Sequence, residues 1–303
     1  MIQYSGELAA LGTSVFWTFT SLCFEFAAKR IGTIGLNILR LLAALVIYTV
    51  VGIVFQGEIV PLNETPKVWF WLSLSGLVGF VFGDVFLFQA YIYIGARMTQ
   101  LVFVTSPVIT AVMGYFIFGE TIAPLGMLGM AMVLSAIMFV VVDKKPGQKN
   151  LPPQAQRPVH KVRGIFFAVL AAIGQSGGLI LSKIGAPDTN AMNAAHIRVI
   201  AGLIGFIIVA FIIRKIDEPI KGLKDKQAVK VLSLGALLGP FAGVTLALVA
   251  MQHTSSGVAA TLMGLVPIMV LLPDSIIKKE RIRPKEIIGA VVAVLGAALI
   301  FIH

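Results

Sequence analysis

Charge is the scarcest property of this 303-residue chain: Asp, Glu, Lys and Arg together make up 13% of it, against 58% apolar residues. Soluble domains carry about 25% charge, so the polar surface here is too small to cover a water-facing fold. A soluble enzyme is all but excluded. Cysteine is nearly missing too, with Cys23 alone inside an apolar run. No internal disulfide and no cysteine-based metal site can be built. Acids number 14 against 24 bases, leaving a formal net charge of +10. Basicity of this size can mark a nucleic-acid binder, but membrane proteins also gather Lys and Arg in cytoplasmic loops. A mean hydropathy of +0.94 favours the second cause, and no nucleic-acid partner is expected. Met1 to Glu7 holds no Lys or Arg, and the apolar stretch after it is longer than a signal-peptide core and lacks a small-residue cleavage pattern. The first span is therefore expected to stay in the mature protein.

Other absences narrow the chemistry. His160, His196, His253 and His303 are scattered without helical pairing, so no metal site is expected. There is no nucleophile and base constellation, no phosphate-binding glycine loop, and no polar segment long enough for a catalytic domain. The expectation is a protein that is not an enzyme, uses no cofactor and is not an ATP-driven pump.

What the chain does contain is apolar runs of spanning length, near 8–28, 32–55, 68–91, 98–118, 122–142, 164–184, 192–213, 230–250, 256–275 and 286–302. The expected fold is an all-α polytopic membrane protein with ten transmembrane helices. The longest polar segment, 143–163, begins Lys144-Lys145-Pro146-Gly147 and holds Pro152-Pro153, the composition of a linker. It separates two five-helix units, 1–142 and 164–303.

The two units repeat one another. A shift of 160 positions pairs Gly79 with Gly239, Gly83 with Gly243, Pro107 with Pro267, Glu120 with Glu280, Pro124 with Pro284 and Gly129 with Gly289. Nearer the front a shift of 158 pairs Arg40-x-x-Ala43-x-Leu45 with Arg198-x-x-Ala201-x-Leu203. Random apolar sequence aligns Leu and Ala often, but seldom Pro, Glu, Arg and Gly. Because five is odd, the second copy must thread the membrane upside down, the inverted repeat that carriers use to exchange inward-open and outward-open shapes.

Charge then assigns the sides. Of the 24 cations, 20 fall in loops that follow odd-numbered spans, and only Lys67 and Lys183 fall in loops after even-numbered ones. Arg40 and Arg198 are left inside helices. Odd loops are expected on the cytoplasmic side of the plasma membrane, with both termini outside.

Gly6 followed by Trp17, Arg40-Leu41-Leu42-Ala43, and Pro107 thirteen residues before Glu120 in Gly119-Glu120, with Gly129 beyond, resemble the EamA-type repeat of the drug/metabolite transporter superfamily. Arg198, Pro267, Glu280 and Gly289 repeat the pattern, although Lys279 replaces Gly119 and span six has no tryptophan. The resemblance covers nearly all of the chain outside the linker. It implies a solute carrier whose central cavity is lined by spans one, three, four, six, eight and nine. Members usually have cytoplasmic termini, the reverse of the charge count here.

Candidate substrate or coupling residues follow from polarity inside spans. Asp84 lies a little past the middle of span three, where an ionisable group costs roughly 2.5–3.5 kcal/mol on insertion scales. It either faces a cavity, binding a proton or a cationic part of the solute, or makes a structural pair with Arg40 or Arg198, or sits protonated against a neighbouring helix. Ser14, Thr18, Ser21 and Glu25 share one face of span one with Trp17 beside it, and Thr99, Ser106 and Thr110 repeat the theme in span four. Such stripes line cavities or bond neighbouring helices. Gln89, Tyr91, Gln175 and Ser176 are further candidates.

Structural or gating candidates are Arg40 and Arg198, about two turns into their spans and able to snorkel to the interface, with an anionic solute raising their importance. Glu25 and Lys29 have the spacing of a surface pair. Pro107 and Pro267 each free a backbone carbonyl within a span, Glu120 and Glu280 precede helix starts, and Gly79-x-x-x-Gly83 and Gly239-x-x-x-Gly243 are close-packing signals.

The function expected is a secondary transporter working by alternating access on a small polar metabolite, amino acid or drug-like solute. Export and proton coupling are implied by the family resemblance. The alternatives are a flippase for amphiphilic or lipid-linked substrates and a membrane enzyme or scaffold without transport. Expected partners are the small-molecule solute, membrane lipid and protons, with a homodimer as a candidate assembly.

Overall fold

A computed structural model describes residues 4–103, 105–142, 161–270, 273, 276 and 284–300. The described residues are mostly helical, with no strand among them. The first half holds α1 (Ser5–Ile31), α2 (Thr33–Gln56), α3 (Pro66–Gly76), a π-helical segment (Leu77–Gly83), α4 (Asp84–Phe103), α5 (Thr105–Phe118) and α6 (Pro124–Val142). The second holds α7 (Lys161–Gly185), α8 (Ala191–Ile212), the short α9 (Asp217–Gly222), α10 (Lys226–Ala236), a π-helical segment (Leu237–Gly243), α11 (Val244–His253), α12 (Ser256–Met263), α13 (Val266–Met269) and α14 (Pro284–Ile300).

Among the described residues six helices are long and apolar enough to cross a membrane: Ser5–Ala28, Thr33–Gln56, Pro66–Ala90, Val162–Gly185, Ala191–Ile212 and Lys226–His253. Thr105–Phe118 and Pro124–Ala136 are shorter apolar helices. Helix starts carry the expected caps: Thr65 accepts from Val68 N ahead of Pro66, Asn190 from Met192 N, and Asp225 from Ala228 N. Between α1 and α2 the chain turns on Gly32 at φ 76°, a conformation that a side chain would resist.

The molecule reverses the polarity of a soluble fold. Phe55, Phe116 and Phe211 are each 75% exposed or more, whereas Arg40, Asp84 and Arg198 are buried. The outward faces obey the repeat: exposed Val46, Val50, Ile53 and Val54 of α2 stand where α8 exposes Ile204, Ile208, Phe211 and Ile212. Apolar side chains exposed in matching register are what lipid on both sides of an internal symmetry would require.

Contacts show how the halves are related. Tyr48 stacks on His196 and Leu41 lies against Gly202, so numbering rises along α2 as it falls along α8. Ala111 meets Gly257 and Pro107 meets Gly264, giving α5 and α12 the same opposition. Gly129 meets Gly296 while Phe139 meets Lys285, and α6 and α14 repeat it. These three pairs run antiparallel across the two halves, which are inverted relative to one another. Correspondingly, α7 packs on α3, its π segment and α4, while α1 packs on α10, its π segment and α11.

Both π segments fall at the same place in their repeats, and each ends at the second glycine of its Gly-x-x-x-Gly. These glycines let backbones touch. A Cβ on Gly178 would lie 2.7 Å from Gly79 Cα, and one on Gly174 would lie 2.8 Å from Gly83 Cα. In the second copy Gly239 faces Thr20 and Gly243 faces Trp17.

Gln175 bonds Asp84 and the adjacent Ser176 bonds Ser106, yet a straight helix would set Asp84 and Ser106 about 33 Å apart. The chain must double back between them.

Candidate functional site

The charged centre forms where the first π segment gives way to α4. Asp84, the first residue after that segment, accepts a hydrogen bond from Arg40 Nη2, and the two side chains are 4% and 3% exposed. Gln175 Nε2 donates to the other carboxylate oxygen of Asp84 at 3.4 Å. Arg40 also lies over the rings of Phe24 and Phe88. Two helices and the opposite half thus converge on one carboxylate.

Arg198 occupies the matching position in the second half and is buried as deeply. Its guanidinium sits over Phe80, 5.2 Å from the ring centroid. A Cβ on Gly79 would lie 3.2 Å from Arg198 Nη2 and 3.8 Å from Gln175 Oε1, so a side chain there would crowd the guanidinium. Its Nε and Nη1 have no hydrogen-bond partner. Neither arginine snorkels; both point inward.

A second polar group closes the end of the bundle where the even loops lie. Lys183 Nζ donates to Glu120 Oε1 at 2.6 Å and to Thr254 O at 3.1 Å. Glu120 accepts from Ser256 N at 2.8 Å and from Ser256 Oγ at 3.0 Å, so it does cap a helix start, but that of α12 in the other half. Thr254 Oγ1 donates to Glu7 at 2.7 Å. The chain ends of α1, α5, α7, α11 and α12 are clasped together. Beside this clasp a cleft of about 520 Å³ lies between the start of α8 and α11, lined by Asn190, Met192, Thr245, Val249 and Gln252 among others.

The hydroxyl stripe is spent largely on helix bonds. Ser14 Oγ donates to Leu262 O at 2.6 Å, Thr18 to Ser14 O and Ser21 to Thr18 O. Ser106 and Ser176 bond each other at 2.9 Å. Thr99 is buried in α4, Gln89 is half-buried, and the Thr110 hydroxyl is buried without a partner. Trp17 is half-buried against Gly243. Pro107 packs against Gly264, and Pro267 falls in α13 with its side chain outside the described residues, as are those of Tyr91, Glu25 and Lys29. Glu280, His160 and His303 also lie outside the described residues. No metal-binding cluster of His, Cys, Asp or Glu occurs among the described residues.

Three contributors escaped the sequence reading. Tyr48 bonds Pro240 O at 3.1 Å, Phe241 O at 2.9 Å and Thr245 Oγ1 at 2.7 Å, tying α2 to the second π segment; a phenol inside an apolar span was its signal. Lys183 stood out as a rare even-loop cation, and Glu7 as an acid ahead of the first span.

An inverted pair of helical halves meeting at buried arginines and an aspartate has a counterpart in sequence. A profile of the EamA-like transporter family matches residues 4–142 and 162–302. The chain belongs to that family. It is therefore an integral membrane protein of a transporter family, built from two EamA repeats. No curated protein matches its sequence. Among solved structures, one titled only as the crystal structure of a protein is 18% identical, with a TM-score of 0.72 over 97% of this chain and 96% of that one. That similarity speaks for the fold alone.

Proposed function

We propose that this EamA-family protein is a secondary transporter that moves a small polar solute by alternating access, and that it crosses the membrane ten times with its odd loops in the cytoplasm. The observation that carries the reading is the meeting of two inverted halves at a buried charged centre, Arg40, Asp84, Gln175 and Arg198, deep inside the spans. Charges at that depth are costly, and function is the ordinary reason to keep them. The reversal between Asp84 and Ser106 supports separate third and fourth spans. The sorting of Lys and Arg supports the orientation, and the clasp around Glu120 supports a state closed toward the outside. Metabolites, amino acids and drug-like solutes are the class, export is the direction, and Asp84 is the acid available for proton coupling. We read the chain as a carrier rather than an enzyme or a scaffold.

Purified protein in liposomes tests this without ATP. A panel of labelled polar solutes should include one that accumulates by exchange. An absence of flux across the whole panel contradicts the carrier. Full pH-dependent flux in a folded Asp84→Asn variant contradicts the coupling role.

A further inference from the structure

The two copies of the repeat differ at the place where charge matters. In the first, Arg40 is answered by Asp84. A shift of 160 positions puts Val244 where the second copy would carry that acid, and Val244 is buried and apolar. Arg198 is therefore left with a full positive charge, a buried Nε and Nη1 without partners, and no carboxylate of its own. A guanidinium does not lose its proton in proteins, so the charge cannot be removed by titration. Among the described residues the acid that acts on Arg198 is Asp84, whose oxygens already serve Arg40 and Gln175. The Tyr48 hydroxyl is occupied by Pro240 O, Phe241 O and Thr245. Two arginines against one aspartate leave the centre one negative charge short.

We propose that Arg198 is the binding site for the carboxylate of a monoanionic solute, which supplies to the second half the charge that Asp84 supplies to the first. The planar guanidinium fork matches a carboxylate with two parallel hydrogen bonds. Its single excess charge favours a monocarboxylate over a phosphate ester, which carries nearly two charges. Gln175 Oε1, close by across Gly79, is positioned to accept from a donor on the same solute. Val244 itself is buried, and Thr245, the next residue of α11, lines the cleft at the start of α8.

The inference rests on the carrier reading, and it is tested by binding rather than flux so that the two fail separately. Purified protein is titrated with monocarboxylates and their primary amides, such as benzoate with benzamide and lactate with lactamide. Sodium chloride and inorganic phosphate form separate arms, with affinity and thermal midpoint read together. At least one acid should bind while its amide does not, Arg198→Gln should weaken that acid at least tenfold, and a surface Lys215→Gln should leave it unchanged. Val244→Asp supplies the missing carboxylate internally; it should fold, melt no lower than the parent protein and lose the response to the acid. That variant decides the matter should Arg198→Gln not fold. Equal binding of acid and amide, an acid response retained in Val244→Asp, or tighter binding of chloride or phosphate than of any carboxylate overturns the proposal. Carboxylate binding that depends on Arg198 without flux would keep this site and remove the carrier; flux restricted to uncharged or cationic solutes would do the opposite.

Discussion

Arg40 donates from Nη2 to Oδ2 of Asp84, and both side chains are nearly sealed inside the bundle. Removing one member of a buried pair leaves the other charge unanswered, at a typical cost of about 3–5 kcal/mol. Asp84→Asn and Arg40→Gln should each destabilise by that order. The double variant should lose less than the two single losses combined, because the charge is then absent on both sides. Thermal unfolding of the four proteins in one detergent measures the coupling, and strict additivity would show that the two side chains act independently.

Two adjacent glycines test the close approach of α7 to the first π segment. A Cβ on Gly178 would meet Gly79 Cα at 2.7 Å, whereas one on Gly177 would meet only Val78 Cγ1 at an ordinary 3.4 Å. Gly178→Ala should therefore cost about 1–3 kcal/mol by overpacking. Gly177→Ala should be neutral or gain up to about 1 kcal/mol from helix propensity. Melting midpoints of the two variants should move apart, and equal shifts would mean that the backbones are not in contact.

Arg30 binds Asp225 at 2.6 Å, joining the end of α1 to the start of α10. The hydrogen bond from Arg30, aided by the Ala228 amide, holds the Asp225 carboxyl below its ordinary range. A lowered folded value means that the pair stabilises fully above the unfolded carboxylate value of about 3.9 and fades as pH falls through the lower folded value. Asn keeps the cap on α10 but not the charge. The melting difference between the parent and Asp225→Asn should be largest near neutral pH and close as the pH falls through the lowered folded value. A difference independent of pH would remove the ionic contribution.

Because Cys23 is the single cysteine, topology can be read in a Cys23→Ser background. Asp188, in an even loop, and Lys215, in an odd one, are both exposed. Intact cells should let an impermeant maleimide label Asp188→Cys directly and Lys215→Cys only after permeabilisation. The reverse pattern would invert the orientation read from the charges.

The fold was legible where chemistry repeats along the chain. Arg40 and Arg198, the paired Gly-x-x-x-Gly motifs and the paired prolines announced two copies, and an odd number of spans implied their inversion before any contact was known. The π segments were not legible, since their hydrogen-bond shift leaves only glycines behind. The partners of Asp84 were a short list of alternatives, because sequence places a residue on a span but not the rotation of that span against its neighbours. Rotation likewise decides that Glu120 caps α12 across the interface, a contact between residues far apart in sequence. Snorkelling of Arg198 failed for the same reason, as Gly79 opens a pocket for it within the bundle.

The clasp gives the most direct test of alternating access. A Cβ on Gly114 would lie 3.2 Å from Ser256 Cβ, close to the roughly 3.5–4.5 Å separation of a disulfide, and 2.5 Å from Glu120 Oε2, the end of a side chain that must swing aside. Gly114→Cys with Ser256→Cys, in the Cys23→Ser background, should lock α5 to α12 when oxidised. In proteoliposomes the account predicts solute exchange in the reduced protein, its loss on oxidation and its return with reductant. Exchange that proceeds unchanged through a fully cross-linked protein would contradict it.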